Sequence, residues 1–219
     1  VDRIKLNEQL NQKLEETAHL LFNDKFFTEI ETSEVERLDE YVDFNPKHII
    51  KKNAIVSYVE MSDVQESSLS IKNVSPKRFI AGAKFKKLDT LLARITPCLE
   101  NGKTALVDCL NDNEIAFGST EFIVMRARKN ISPYWVYCLA RNENFRAYAI
   151  SSMVGSSGRQ RVHSDYLKLF QIPRANTQQM TEFHEIVEKL FGLVKVVFQE
   201  NTLLKSLLDN LLSKLAKAK

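Results

Sequence analysis

The sequence has 219 residues, 44% hydrophobic and 27% charged, with a formal net charge of +3. That is enough apolar material for one compact domain with extended elements, or for two small domains. No apolar run approaches the ~20 residues of a membrane span, and the start lacks the pattern of a signal peptide. Three cysteines (Cys98, Cys109, Cys138) are odd in number and lack metal-ligand spacing, so they read as reduced thiols in a cytoplasmic protein. Charge is unevenly spread. Residues 1–45 hold five Lys/Arg against twelve Asp/Glu, whereas residues 72–103 hold eight against two. The second balance predicts an anion-facing surface in the middle of the chain, although a solvated sheet face would look the same.

In chain order, residues 1–27 read as a helix. Ile4, Leu6, Leu10, Leu14, Ala18, Leu21 and Phe22 share a face, and no Gly or Pro interrupts them. The helix begins without a capping residue and without Met, as though the chain entered it midway. Leu10, Leu14 and Leu21 are expected to form a seam, with Asn7 and Thr17 between them. Residues 28–43 are acidic and polar and predict a connecting loop. From Phe44 the pattern turns to period two. Strands are predicted over 54–59, 69–74, 90–95, 103–107, 114–117 and 122–125, separated by turn residues such as Ser75-Pro76, Thr96-Pro97 and Gly118-Ser119. Asn101-Gly102 is a hairpin signal. Pro133 opens a helix over 134–150, with Trp135, Leu139, Phe145 and Tyr148 as core. A Gly/Ser loop (Gly155 to Gly158) leads into Arg159-Gln160-Arg161, and 165–172 is β-like or irregular.

The last stretch, 176–219, carries the strongest pattern. Phe183, Val187, Leu190, Val194, Val197, Leu204, Leu208, Leu211 and Leu215 recur at steps of three and four, a heptad seam suited to a partner helix. Asn201 fills the one break, where a buried Asn fixes register and partner number. Asn176 with Gln179 resembles a capping box. At 1.5 Å per residue such a helix runs roughly 60 Å, more than the width of the domain before it. The layout is α+β: a compact mixed-sheet domain (28–175) between a shorter N-terminal helix (1–27) and a long C-terminal coiled-coil helix (176–219).

Catalytic signatures are lacking. The four histidines are scattered, and there is no phosphate-binding loop, dinucleotide fingerprint or nucleophile elbow. Asp89, Glu100 and Asp108 near Lys103 leave open a metal-dependent nuclease, and a coiled-coil adaptor without a DNA role is a further alternative. The middle domain does offer polar readers on turns: Lys86 and Lys87, then Arg94, Thr96, Asn101 and Lys103, and a second cluster of Ser156, Ser157, Arg159, Gln160 and Arg161. Arg pairs bidentately with guanine and Gln with adenine, while Ser, Lys and backbone amides reach phosphates. These residues are the expected DNA contacts, with Arg161, beside Val162, the one most suited to a structural role.

The run Leu91-Leu92-Ala93-Arg94-Ile95-Thr96-Pro97-Cys98-Leu99-Glu100-Asn101-Gly102-Lys103 resembles a target recognition domain of the specificity subunits of type I restriction-modification systems. Phe117-Gly118-Ser119-Thr120-Glu121-Phe122 and Ser157-Gly158-Arg159-Gln160-Arg161-Val162 are similar to it as well. Ile172-Pro173, Gln179, Phe183 and Val187 resemble the exit into that family's spacer helix, and Leu6, Leu10, Leu14 and Phe22 the end of a preceding one. The departure is that a full specificity subunit carries two recognition domains, so the chain looks like a half subunit or a fragment. The resemblance implies a non-catalytic chain that reads one half of a bipartite duplex DNA target. It would dock methyltransferase subunits and, through the complex, a restriction subunit. S-adenosylmethionine, ATP and magnesium would sit on those partners and none on this chain. A missing second half implies a homodimer or a second half subunit, paired through Leu10, Leu14, Leu21, Val187, Leu190, Val194, Val197, Asn201, Leu204, Leu208 and Leu211.

Overall fold

The computed structural model describes residues 2–27 and 34–217; the start of the expected acidic loop, residues 28–33, lies outside them. Helix α1 (Asp2–Phe27) precedes β1 (Val35–Arg37), β2 (Val42–Phe44), β3 (Ile55–Val59), β4 (Ser75–Arg78), β5 (Ala83–Lys86), β6 (Thr90–Ala93), β7 (Thr104–Leu106), β8 (Ile115–Gly118) and β9 (Phe122–Ala127). Then come α2 (Pro133–Arg141), α3 (Glu143–Ser151), a single turn α4 (Ser164–Leu167), β10 (Gln171–Pro173) and α5 (Thr177–Lys217). The α+β layout expected from the sequence is the observed one.

Two four-stranded sheets form the centre, in the orders β2-β9-β6-β7 and β4-β3-β8-β5. The first is antiparallel and buried on both faces. Its period of two sends Leu91, Ala105 and Val124 toward the second sheet, where they meet Val59, Phe85 and Ala116. The alternate set, Leu92, Leu106, Ile123 and Met125, meets the helices. The second sheet is mixed, because β3 runs parallel to β8. Its outer strand β4 contains Pro76, which an edge position tolerates because no ladder partner needs its missing N–H.

Several boundaries differ from expectation. Residues 69–74 form no strand. Leu69 and Ile71 are buried, but the Leu69 N–H donates to both oxygens of Glu15, at 3.1 and 3.0 Å, so that backbone is satisfied by a side chain of α1. The strands lie instead at Ser75–Arg78 and Ala83–Lys86. The expected helix over 134–150 is two helices, broken at Asn142, whose side chain accepts from the amides of Asn144 and Phe145 and caps α3. Between β6 and β7 the chain makes a helical turn through Pro97 and Leu99 before Gly102, longer than a two-residue hairpin. Residues 35–43, expected as loop, contribute β1 and most of β2; β1 pairs with β10 across most of the chain.

The two long helices run antiparallel. Ion pairs join Lys25 to Glu182 at one end and Arg3 to Glu200 and Glu8 to Lys205 at the other. At the domain end, Phe22 lies tilted and Phe26 edge-on against Trp135, and Phe183 packs edge-on against both phenylalanines. At α5's N-terminus, Asn176 caps the helix by accepting from the Gln178 amide, one residue short of the expected box, and its own N–H reaches the Gln179 side chain.

The helix seams need correcting. On α1 the inward stripe is Asn7, Asn11, Glu15, Ala18, Phe22 and Phe26, polar in its first half and apolar in its second. Leu14 and Leu21 only flank the core, and Leu10 is 44% exposed. The buried polar groups explain the shift. Asn7 donates to Asn201 at 2.9 Å, Asn201 donates to the Ile4 carbonyl, and Glu15 accepts from Tyr137 as well as Leu69. On α5, Val187, Val194 and Asn201 lie in the seam, but Phe191 takes the central place between them and Leu190 and Val197 sit at its edges. Up to Val194 the helix follows the 3.6-residue period of a face packed on its own domain. Beyond Lys205, α1 no longer covers it. Leu204 is half-buried, while Leu208, Leu211 and Leu215 stand exposed.

Candidate nucleic-acid interface

One end of the central sheets gathers most of the expected readers. β6 ends at Ala93, and the next residue, Arg94, receives a hydrogen bond at its carbonyl from Val162 and donates its own amide to the Glu121 carbonyl. Thr96 donates its amide to the Gln160 carbonyl at 3.1 Å. Residues distant in sequence, 94–96, 121 and 160–162, therefore share one backbone network. Val154 and Arg161 exchange both amide–carbonyl bonds, at 3.0 and 2.9 Å, and close the loop between them. Gly155 (φ 126°) and Gly158 (φ 77°) take backbone conformations that side-chain-bearing residues rarely adopt. A Cβ at Gly155 would stand 3.2 Å from the Arg159 carbonyl oxygen, whereas one at Gly158 would meet nothing within 4 Å. The result is a tight loop with Ser156, Ser157 and Arg159 exposed at its tip and Gln160 half-buried at its base.

The two arginines beside this tip are fixed. Arg161 forms a bidentate pair with Glu121, at 2.8 to 3.1 Å, and also donates to the Arg159 carbonyl. That bonding holds the Glu121 carboxyl below its ordinary value and raises the Arg161 guanidinium. Arg161 thus braces the loop from inside, in keeping with the structural role its sequence position suits. Arg94 stands 3.3 Å from His163 Nδ1. Its Nε is buried without a partner among the described residues, as is Thr96 Oγ1. A buried donor and a buried hydroxyl, both unpaired beside a rigid exposed tip, can complete their bonding with an incoming polar ligand or with water. Sequence reasoning singles out neither Glu121 nor His163. A signal for Glu121 exists, as the one carboxylate in a motif that faces basic readers.

Of the remaining expected contacts, Asn101 and Lys103 share this end of β6, where the Lys103 carbonyl accepts from the Ala93 amide, but their side chains turn away. Lys103 donates to the Met61 carbonyl at 3.1 Å, and Asn101 donates to Glu66, facing the start of the 66–69 segment rather than the loop tip. Lys86 and Lys87 precede β6, so its whole length, on the order of 10 Å, separates them from Arg94. Lys87 pairs with Asp112 at 2.7 Å, whereas Lys86 is exposed. Beside them, on β9 of the first sheet, Arg126 makes a bidentate pair with Asp89, at 2.7 and 2.6 Å, with Asp89 only 1% exposed. This occupies one of the carboxylates considered for a nuclease. Among the described residues no three His, Cys, Asp or Glu side chains stand close enough to share a metal ion.

No family model matches the chain. Among curated proteins, the type I restriction enzyme EcoAI specificity subunit of Escherichia coli is 34% identical over 90 residues, which is 41% of this chain and 15% of that protein. Among solved structures, the type I restriction-modification S subunit from M. genitalium superposes with a TM-score of 0.60 at 17% identity, over 98% of this chain and 57% of that one. The HsdS subunit from Thermoanaerobacter tengcongensis gives a TM-score of 0.53 at 11% identity, over 90% and 48%. The chain thus spans about half the length of these solved relatives. In fold, and over a shorter stretch in sequence, it resembles a type I restriction-modification specificity subunit at the scale of one recognition domain with its flanking helices.

Proposed function

We propose that this chain is the DNA-reading part of a type I restriction-modification complex and breaks no bond itself. The observation that carries this reading is the braced loop at residues 154–161, set in a fold shared with specificity subunits. Its tip presents Ser156, Ser157 and Arg159 from a backbone held by Arg161 and Glu121. Arg159 and Gln160 supply donors suited to base edges in a major groove, and Arg94 and Thr96 lie beside them. The domain reads one half of a bipartite duplex target. Methyltransferase subunits bring S-adenosylmethionine, and a restriction subunit brings ATP- and magnesium-dependent work, all in the cytoplasm.

The helices supply the spacing. The α1–α5 pair fixes the domain to a stiff rod, and the exposed Leu208, Leu211 and Leu215 beyond it provide a contact for a second half, in the simplest case another copy related by a two-fold axis. A pair of identical domains reads an interrupted palindrome. The test is to combine the chain with its methyltransferase subunits, expose genomic DNA, and map the methylated positions. A single interrupted motif, symmetric when no second specificity chain is present, is the expected result. Methylation independent of the chain, or none, refutes the reading. Light scattering on the complex shows whether one or two copies are present.

A further inference from the structure

The end of the domain opposite the braced loop has its own surface. Three isoleucines there are unusually exposed: Ile49 at 91%, Ile80 at 74% and Ile55 at 71%. Backbone hydrogen bonds make them neighbours. Asn53 donates its amide to the Phe79 carbonyl and Phe79 to the Ala54 carbonyl, which places residues 53–55 against 78–80. Lys84 reaches the His48 carbonyl at 2.9 Å and lies 5.1 Å above the Phe79 ring, which ties Ile49 to the same patch.

The segment carrying Ile49 is pinned, so its exposure is built in. Asn45 (φ 50°) donates its amide to the Val124 carbonyl, and its side-chain oxygen accepts from the Val124 amide. His48 Nε2 stands 2.7 Å from the Arg126 guanidinium. Asn53 (φ 66°) turns the chain into β3. A loop held at both ends and in its middle keeps Ile49 from folding back onto the core.

Around the isoleucines stand Lys47, Lys51, Lys52, Arg78, Lys84 and Lys86. None of the six forms an ion pair among the described residues; the nearby carboxylates Asp89 and Asp112 are taken by Arg126 and Lys87. Burial and the neighbouring cations, Arg126 first, hold His48 below its ordinary value, in keeping with a positive field. Unpaired cations around apolar side chains fit a polyanion that also offers apolar surface. A nucleic-acid duplex does, with phosphates for the lysines and sugar or base faces for an aliphatic wedge.

We propose that this lysine–isoleucine face is a second, sequence-independent duplex contact that grips the DNA flanking the bases read at the braced loop. The inference rests on the DNA-reading role, but it assigns a separate surface with separate chemistry. Cations left unpaired on a rigid frame suit strands whose charge is regular and whose sequence is irrelevant.

The test uses the full chain and a short random-sequence duplex, so the recognised bases need not be known. All substituted side chains are exposed, and circular dichroism controls for folding. The slope of log affinity against log salt should fall by about 2 to 3 in a Lys51→Gln/Lys52→Gln/Lys86→Gln variant, since each phosphate no longer neutralised removes about 0.9 from it. Ile49→Ser should weaken binding by up to about tenfold with the slope unchanged. A triple variant with the parent slope overturns the proposal while the braced loop keeps its role. Tighter binding of the parent to phosphatidylserine vesicles than to duplex, abolished in the same variant, assigns the face to a membrane surface and overturns it too. No duplex binding by the parent at any salt removes both this proposal and the DNA-reading role.

Discussion

The two ends of the central sheets handle positive charge in opposite ways. At the end of β6 that leads into Arg94, two of the three arginines are engaged, Arg161 with Glu121 and Arg94 with His163, and only Arg159 is presented. At the other end, Arg126 and Lys87 take the nearby carboxylates, and six cations stand without one among the described residues, around three exposed isoleucines. Charge used internally shapes a loop. Charge left free awaits a partner. Net charge, +3 for the whole chain, is blind to this difference.

The largest expected effect comes from breaking the buried pair beneath the free-cation end. Asp89→Ala leaves the half-buried Arg126 without its carboxylate, a loss of about 3 kcal/mol read from the denaturation midpoint. If the cost is under ~1 kcal/mol, that pair is not what carries the frame. A smaller effect is expected at the other end. Glu121→Gln should cost about 1 kcal/mol of stability, because the pair with Arg161 is partly exposed, and should raise hydrogen exchange within residues 154–161. Acidity should act the same way. The Glu121 carboxyl is held low in the folded protein, so its contribution is present above the ordinary value of 4.5 and is lost as pH falls through the lowered one. The loop should therefore loosen in acid in the parent, and Glu121→Gln should remove that dependence. The smallest effect on folding is expected for Arg159→Ala, within ~0.5 kcal/mol, since its side chain is exposed. Its cost should appear instead as about 1 to 3 kcal/mol of lost base discrimination.

Much of the frame is legible in the sequence because it follows from local pattern. The long helices follow a 3.6-residue period, the cap at Asn176 is a local signature, and Thr90–Ala93 and Phe122–Ala127 are short runs buried on both faces of a sheet. What local pattern misreads depends on distant partners. Residues 69–74 alternate like a strand, but Glu15, more than fifty residues away, satisfies the Leu69 amide. The leucines of α1 suggest its seam, yet Asn7, Asn11 and Glu15 face inward; Asn201 offers Asn7 a hydrogen bond, and Tyr137 and Leu69 do so for Glu15. Pairs such as β1 with β10 are three residues long, too short to show a period. At the candidate site the loop and its composition can be read. Which arginine braces and which presents cannot, because Glu121 meets Arg161 only after folding.

The most direct test of base reading at the braced loop maps methylated positions with the chain assembled on its methyltransferase subunits, comparing the two ends in one experiment. An Arg159→Ala/Gln160→Ala variant should relax or change one or two positions of the motif. The Lys51→Gln/Lys52→Gln/Lys86→Gln variant should methylate the parent motif unchanged, only less completely, with a deficit that narrows as salt rises. An unaltered motif in the first variant, or an altered one in the second, would contradict the assignment of base reading to the braced loop.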